Sequence, residues 1–148
     1  MTPTVGAPSS ASLGGMALVV VQDVEYLDFV QRVIQGVGYG VKVCNSYTEG
    51  ISHLSARGFD LIVVGQGSPQ FEGRCVLERA AELDRQLPVI VVARILDMAC
   101  YIEAMQLGAV DYIAGHGDGV EIARVVKNFA PRSKGNLATL RQSSNAAS

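Results

Sequence analysis

Four residues decide what chemistry this chain could perform, because each stands where an apolar segment ends. They are Gln22 after residues 17–21, Gly65 after 61–64, Ala93 at the end of 88–93, and Gly115 shortly after 109–113. Phosphoryl transfer to a side chain needs a nucleophilic oxygen, a divalent cation and donors for the equatorial phosphoryl oxygens. Gly65 offers no nucleophile, Ala93 donates no hydrogen bond and Gly115 carries no cation. These residues predict that no phosphoryl group is taken up at these segment ends.

Two charged residues stand next to these positions. Asp23 could be a weak metal ligand, but Mg²⁺ prefers one or two carboxylates plus phosphate and water, so one carboxylate would hold it poorly. The same side chain could instead cap a helix that begins near Val24, which is the role we favour. Arg94 could pair with Asp23, bind an anion from a partner, or be an exposed side chain without a role. We expect no bound metal and no cofactor.

The segments that must position these residues alternate between two apolar patterns. Short apolar runs rich in β-branched residues are typical of strands buried on both faces of a parallel sheet. They cover residues 17–21, 40–44, 61–64, 88–93 and 109–113. Helical spacing fills the gaps, in the sets Leu27, Val30, Ile34 and Val37; Met98, Tyr101, Ile102 and Met105; and Ile122, Val125, Val126 and Phe129. Two further helices are expected over 47–57 and 71–83.

Five strands and five helices in strict alternation predict an α/β fold. Right-handed crossovers then give a doubly wound, five-stranded parallel sheet with helices on both faces. In such a sheet the ligand-binding and reactive groups lie at the carboxyl ends of the strands. The four positions above are therefore predicted to meet at one edge of the sheet.

Four sequence segments resemble the receiver domain of two-component response regulators, over about residues 17–130. Receivers begin with a strand that ends in two acidic residues, where this chain reads VVVQD. Their third strand reads DLIxxD before a Pro and a DG pair, where this chain reads DLIVVGQGSPQFEG. The fourth usually reads PVIxxT or PVIxxS, then Ala, and the fifth GAxDYxxKP; here they read PVIVVAR and GAVDYIAGH, so that His116 replaces Pro. The order and spacing make the resemblance specific, and it implies the (βα)5 flavodoxin-like receiver fold.

The resemblance implies a degenerate receiver, or pseudo-receiver, whose phosphorylation pocket has lost its reactive groups. Gly65 stands at the position of the phosphoacceptor Asp, Ala93 at the hydroxyl position and Gly115 at the lysine position. Of the acidic pair, Gln22 takes the first position and Asp23 the second. The chain is therefore expected to be a non-enzymatic signalling module of phosphorelay ancestry, which acts by binding other proteins.

The family also implies a partner-binding face on the last strand and its two flanking helices. Tyr112 stands at the position of the switch tyrosine, whose ring turns inward on activation; here a static packed ring and a partner-facing ring are the alternatives. The other residues assigned to this face are Asp111, Met98, Ile102 and Met105. The expected partners are a histidine kinase, a phosphotransfer protein, an output domain, or a second copy of the chain in a homodimer.

A second surface is implied on the helix after Asp23, which kinases and phosphotransfer proteins usually contact in this family. Tyr26, Phe29 and Val33 lie beside the core positions of that helix. They could be partner contacts, or they could form a second buried flank.

Composition sets further limits. The chain has 148 residues, 49% of them apolar, and a net charge of −2. It fits one densely packed domain and has no basic field that would attract nucleic acid. Three cysteines without CxxC spacing indicate reduced thiols. The run at 17–21 is too short for a signal sequence or membrane span, so we expect a cytoplasmic protein without nucleic-acid or membrane partners.

The domain boundaries follow from the terminal sequences. Residues 1–15 are small and polar with Pro and Gly, and are expected to be flexible. Residues 131–148 begin with a Pro and have no apolar face, so they are expected to be a flexible tail or the stub of a linker. The receiver-like domain is assigned to residues 16–130.

Two alternatives to a binding module stay open. One is a receiver with a displaced phosphoacceptor, Ser68 or Asp60; Asp60 opens its strand at the wrong end, and Ser68 has no metal cluster beside it. The other is a small-ligand sensor that uses the vacated pocket, where Gly65 and Gly67 allow a backbone concavity but no phosphate-binding glycine motif is present.

Overall fold

The computed structural model describes residues 15–56, 58–115, 117 and 119–129. The expected flexible segments therefore lie almost entirely outside the described residues, as does His116. Strands and helices alternate along the described chain. They are β1 (Met16–Val20), α1 (Val24–Val37), β2 (Gly40–Cys44), α2 (Tyr47–Ala56), β3 (Leu61–Gly65), α3 (Arg74–Leu83), β4 (Val89–Ala93), α4 (Met98–Gln106), β5 (Asp111–Ala114) and α5 (Val120–Asn128).

The five strands form one parallel sheet in the order β2-β1-β3-β4-β5. Every residue of β3 and β4 is buried, which is why their sequences LIVVG and VIVVA carry no polar alternation. The predicted doubly wound α/β sheet of flavodoxin-like topology is confirmed.

Alternate residues of the strands supply two hydrophobic cores, one on each face of the sheet. On one face, Val30 and Ile34 of α1 and Val125 and Val126 of α5 pack on the sheet. On the other face, side chains of α2, α3 and α4 do so, among them Leu54, Leu77, Cys100 and Ala104. Both faces of the sheet are therefore covered by helices, and the residues that follow each strand lie at its carboxyl edge.

The start of α3 differs from the expectation of a helix over 71–83. The helix begins at Arg74, because Phe71 has a positive φ of 59° and its buried ring anchors the preceding turn in the core. A Cβ at Gly73 would lie 2.1 Å from the carbonyl oxygen of Gly65. The turn therefore needs glycine at 73, because the two backbone segments lie too close together to leave room for any side chain.

The apolar stripe of α4 faces the opposite way from a core stripe. Met98, Ile102 and Met105 are exposed, and the helix packs on the sheet through Cys100 and Ala104. Helical spacing identified the helix, and the three residues assigned to a partner face lie on its exposed side. Within the described residues, no helix has both the length and the apolar character needed to span a membrane.

Candidate functional site

A cleft of about 510 Å³ opens at the carboxyl edge of the sheet. It collects Gln22, Asp23, Gly65, Ala93 and Arg94, so the structure brings together five of the residues singled out in the sequence. Gly115 lies beside the cleft and not in its lining: its carbonyl oxygen is turned to the hydroxyl of Tyr26, 3.0 Å away.

The floor of the cleft is apolar. A Cβ at Gly65 would meet Cα and both Cγ atoms of Val21 at 3.5 Å, and Val21 is buried. Val21 is thus the β1-side neighbour of Gly65, whereas Gln22 is exposed and Asp23 begins the next element. Val21 was not identified from the sequence, because it continues an apolar run and looked like an ordinary core residue.

Asp23 is the N-cap of α1. Its Oδ1 accepts hydrogen bonds from the backbone N–H groups of Glu25 at 2.9 Å and Tyr26 at 3.3 Å. Its Oδ2 lies 2.9 Å from Nε of Arg94. The Nη2 atom of the same arginine lies 3.8 Å from Oε1 of Glu25. The N–H of Tyr26 contributes most to holding the pKa of Asp23 below its ordinary value, with Arg94 adding to it. Both oxygens therefore have partners from the protein itself.

Tyr26 fastens the ends of β4 and β5 to α1. Its hydroxyl lies 3.0 Å from the carbonyl oxygen of Ala93 and 3.0 Å from that of Gly115. Burial raises the pKa of Tyr26 to about 12, and the guanidinium of Arg94 lies 5.3 Å from the ring centre. Of the two alternatives for Tyr26, the structure supports the buried flank and not the partner contact, because the ring is buried. Phe29 is half-buried in the core between the sheet, α1 and α5.

Tyr112, which the resemblance assigns to the switch position, is buried, and its hydroxyl makes two hydrogen bonds. The hydroxyl of Tyr112 donates to Oε1 of Gln66 and accepts from the backbone N–H of Asp97 at 3.2 Å. Gln66 is buried, and its Nε2 donates to the carbonyl of Ser68 at 3.2 Å. Burial is the main cause that raises the pKa of Tyr112. These bonds join the loop after β3, the loop before α4 and β5.

The residues of the cleft do not fit Mg²⁺, the divalent cation considered above for phosphoryl transfer. The ion needs carboxylate oxygens with free lone pairs. The β1-side neighbour of Gly65 is Val21, Asp23 is committed to helix N–H groups and Arg94, and Asp97 caps α4 through Cys100 at 3.0 Å. Among the residues described, no group of three or more His, Cys, Asp or Glu side chains could hold a metal ion.

The residues assigned to a partner face do not all lie at the surface: three are on the exposed side of α4, whereas Tyr112 is buried in the core and Asp111 is half-buried. Met98, Ile102 and Met105 are exposed, and Tyr101, beside them, stacks edge-on against Tyr112 with ring centres 5.5 Å apart. Asp111 instead turns an oxygen to the N–H of the next residue at 2.8 Å. The exposed apolar side chains continue into Ile95 and Leu96, which line the cleft.

Comparison with known proteins gives the family. The model of the response regulator receiver domain matches residues 17–128. Transcriptional regulatory protein ZraR of Escherichia coli O157:H7 is 27% identical over 96 residues, 65% of this chain but 22% of that protein. Response regulator protein TmoT of Ectopseudomonas mendocina is 23% identical over 80% of this chain and 55% of its own length. This chain thus spans about a fifth of the length of ZraR.

Solved structures agree on the fold. A response regulator receiver domain protein (CheY-like) from Methanospirillum hungatei JF-1 superposes with a TM-score of 0.69 at 23% identity, over 77% of this chain and 91% of that one. HP1043, an orphan response regulator of H. pylori, gives 0.67 at 17% identity, over 81% and 99%. The sheet order, the cleft at its carboxyl edge and the match over residues 17–128 lead to one conclusion: the chain belongs to the response regulator receiver domain family.

Proposed function

We propose that this chain is a phosphorylation-independent interaction module, a pseudo-receiver without enzymatic activity that acts in the cytoplasm through protein partners. The observation that carries the proposal is the floor of the cleft. The acceptor position is the bare backbone of Gly65, and the nearest side chain to it is that of the buried Val21. An acyl phosphate needs a carboxylate there and a cation beside it, and apolar carbon supplies neither.

The hydrogen bonds of Tyr112 support a module held in one conformation. In a switching receiver the inward position of this ring follows from phosphorylation, as the family resemblance implies. Here Gln66 and the N–H of Asp97 hold the hydroxyl without a phosphoryl group. Gln66 and Tyr112 are both buried, so breaking their bond would strand polar atoms away from water.

The exposed apolar side of α4 supports a protein partner at the face named above. Met98 is 59% exposed and Ile102 is 50% exposed, which is unusual for adjacent large apolar side chains on one helix. The candidate partners are a histidine kinase, a phosphotransfer protein, an output domain in the same longer protein, or a second copy of the chain.

A displaced phosphoacceptor is less well supported. The hydroxyl of Ser68 donates to Oε2 of Glu72 at 2.7 Å, and this bond lowers the pKa of Glu72. Asp60 lies at the amino end of β3, where it accepts from the backbone N–H of Met16 at 2.9 Å. Neither side chain lies in the cleft lining.

The experiment is affinity capture by the full chain from the native lysate, read by mass spectrometry, with an Ile102→Glu variant in parallel. Acetyl phosphate and Mg²⁺ are added to half of each sample. We expect a partner that is captured by the native chain, lost in the variant and unaffected by the phosphoryl donor. Capture that requires acetyl phosphate, or capture that is equal for both proteins, would count against the proposal.

A further inference from the structure

We propose that the cleft at the carboxyl edge of the sheet binds a small, uncharged, flat aromatic ligand. The inference does not depend on the partner-binding role proposed above, since it concerns the cleft lining and not the outer side of α4. It also differs from the acidic ligand that an emptied phosphoryl pocket first suggests.

The volume and the walls of the cleft set the size of the ligand. Its 510 Å³ is within the range of ligand pockets in proteins. An apolar cavity of about 150 Å³ holds one benzene molecule, so this cleft has room for a ligand of two or three rings. Val21, Val92 and Ala93 give a floor of short apolar side chains, and Ile95, Leu96 and Pro69 stand above it. A thin, planar group fits such a floor best.

Most of the polar side chains that line the cleft already have hydrogen-bond partners within the protein. The hydroxyl of Tyr47 donates to the carbonyl of Gly65 at 3.0 Å, and that of Tyr26 is held by two carbonyl oxygens. Gln66 is bonded at both ends of its amide, and Asp23 at both oxygens. A ligand would therefore gain chiefly from burying apolar surface, and little from new hydrogen bonds.

The charges at the rim select against anions. Asp23, Asp97 and Arg94 line the cleft, and Glu25 lies 3.8 Å from the guanidinium. Two carboxylates, those of Asp23 and Glu25, lie beside the guanidinium, and Asp97 adds a third negative charge to the lining, so the net charge of the rim is negative and Arg94 is already paired. Phosphate, nucleotides and carboxylates are thus disfavoured, although an anion is what this position binds in a phosphorylated receiver.

The experiment uses two fluorescent probes that differ by one sulfonate. N-Phenyl-1-naphthylamine is neutral, and 8-anilino-1-naphthalenesulfonate is the same three-ring amine with a negatively charged sulfonate group. Titration of each into the full chain gives the affinity and the stoichiometry. We expect saturable one-to-one binding of the neutral probe, and at least about ten-fold weaker binding of the sulfonate.

Three variants place the probe. Gly65→Leu fills the floor; its Cβ would meet Val21 at 3.5 Å, an ordinary contact, so the rest of the side chain occupies the cleft. Leu96→Ser removes an apolar side chain that lines the cleft and is 56% exposed. Met98→Ser is the matched control, because Met98 is 59% exposed but does not line the cleft. We expect a loss of at least about ten-fold for Gly65→Leu, about ten-fold for Leu96→Ser and less than two-fold for Met98→Ser.

Four results would overturn the proposal: no saturable binding of the neutral probe, equal affinity for the sulfonate, no effect of Leu96→Ser, or an equal loss in Met98→Ser. The last result would indicate general binding to the exposed apolar side of α4, as expected if that side and the cleft together receive a protein. If Gly65→Leu does not fold, as judged by far-ultraviolet circular dichroism, the pair Leu96→Ser and Met98→Ser decides alone, because both side chains are exposed.

Discussion

Replacing Tyr112 by Phe removes the hydroxyl that joins Gln66 to the start of α4. Two hydrogen bonds are lost, one to Oε1 of Gln66 and one from the N–H of Asp97. Each is worth about 1 kcal/mol net, and a buried oxygen left without a donor costs about 1–3 kcal/mol more. Gln66 is only 4% exposed, so water replaces the lost donor poorly. We expect Tyr112→Phe to lower the free energy of unfolding by about 3 kcal/mol.

A double-mutant cycle isolates the bond. Gln66→Met removes the same acceptor together with the 3.2 Å bond from Nε2 to Ser68, for an expected cost of about 2 kcal/mol. In the double variant no buried oxygen of residue 66 is left without a donor. Its loss of unfolding free energy should therefore be about 1.5 kcal/mol smaller than the sum of the two single losses.

Urea unfolding, followed by circular dichroism, gives the free energy of unfolding of the native chain, the two single variants and the double variant. Tyr101→Phe is the control. That variant keeps the ring that contacts Tyr112 at 5.5 Å and removes only a hydroxyl on a partly exposed side chain, for an expected change below about 0.5 kcal/mol. A coupling energy below about 0.5 kcal/mol would refute the reasoning, because Gln66 and Tyr112 would then act independently.

Three further predictions concern the backbone, the cap and pH. Gly73→Ala should lower the free energy of unfolding by about 3 kcal/mol or more, because the new Cβ would lie 2.1 Å from the Gly65 carbonyl oxygen. Its control, Gly65→Ala, should change it by less than about 1 kcal/mol, since that Cβ meets Val21 at 3.5 Å; urea unfolding checks both. Asp23→Ala should lower the melting temperature while Asp23→Asn largely keeps it, because Asn also caps helices; equal losses would make the Arg94 ion pair the important contact instead. Burial raises the pKa of Tyr26 and of Tyr47 to about 12 from an ordinary 10.0, so stability present below pH 10 should be lost between about pH 10 and 12. Urea unfolding across that range should show a shallower loss in Tyr47→Phe, and an unchanged slope would contradict the burial of that phenol.

The fold was predictable because the strands are buried on both faces. Runs such as LIVVG and VIVVA have no polar alternation, and they recur between segments of helical spacing. The positions of Gly65 and Ala93 at one edge followed from topology, since parallel strands end together. The family match and the sheet order agree with that prediction.

The remaining features depend on contacts between distant segments, which spacing does not encode. Spacing alone does not tell which side of α4 is buried; only the family resemblance placed Met98 and Ile102 on an outer face, and both are exposed. Val21 continues a hydrophobic run and only the three-dimensional structure places it against Gly65. Gln66 follows a strand like many polar residues, and its role appears only when Tyr112, 46 residues away, is beside it. A polar amide that is buried between two motifs would have pointed to such a role, but a single sequence does not show that Gln66 is buried.

The central claim is that no phosphoryl group is accepted in this cleft. Amide NMR spectra of the full chain, recorded with Mg²⁺ before and after addition of beryllofluoride, test it directly, because beryllofluoride mimics an acyl phosphate on an aspartate. With Gly65 at the proposed acceptor position and Val21 beside it, we predict no saturable shifts in the cleft. Saturable shifts clustered at residues 65–69, together with a mass increase of one phosphoryl group after acetyl phosphate treatment, would contradict the account.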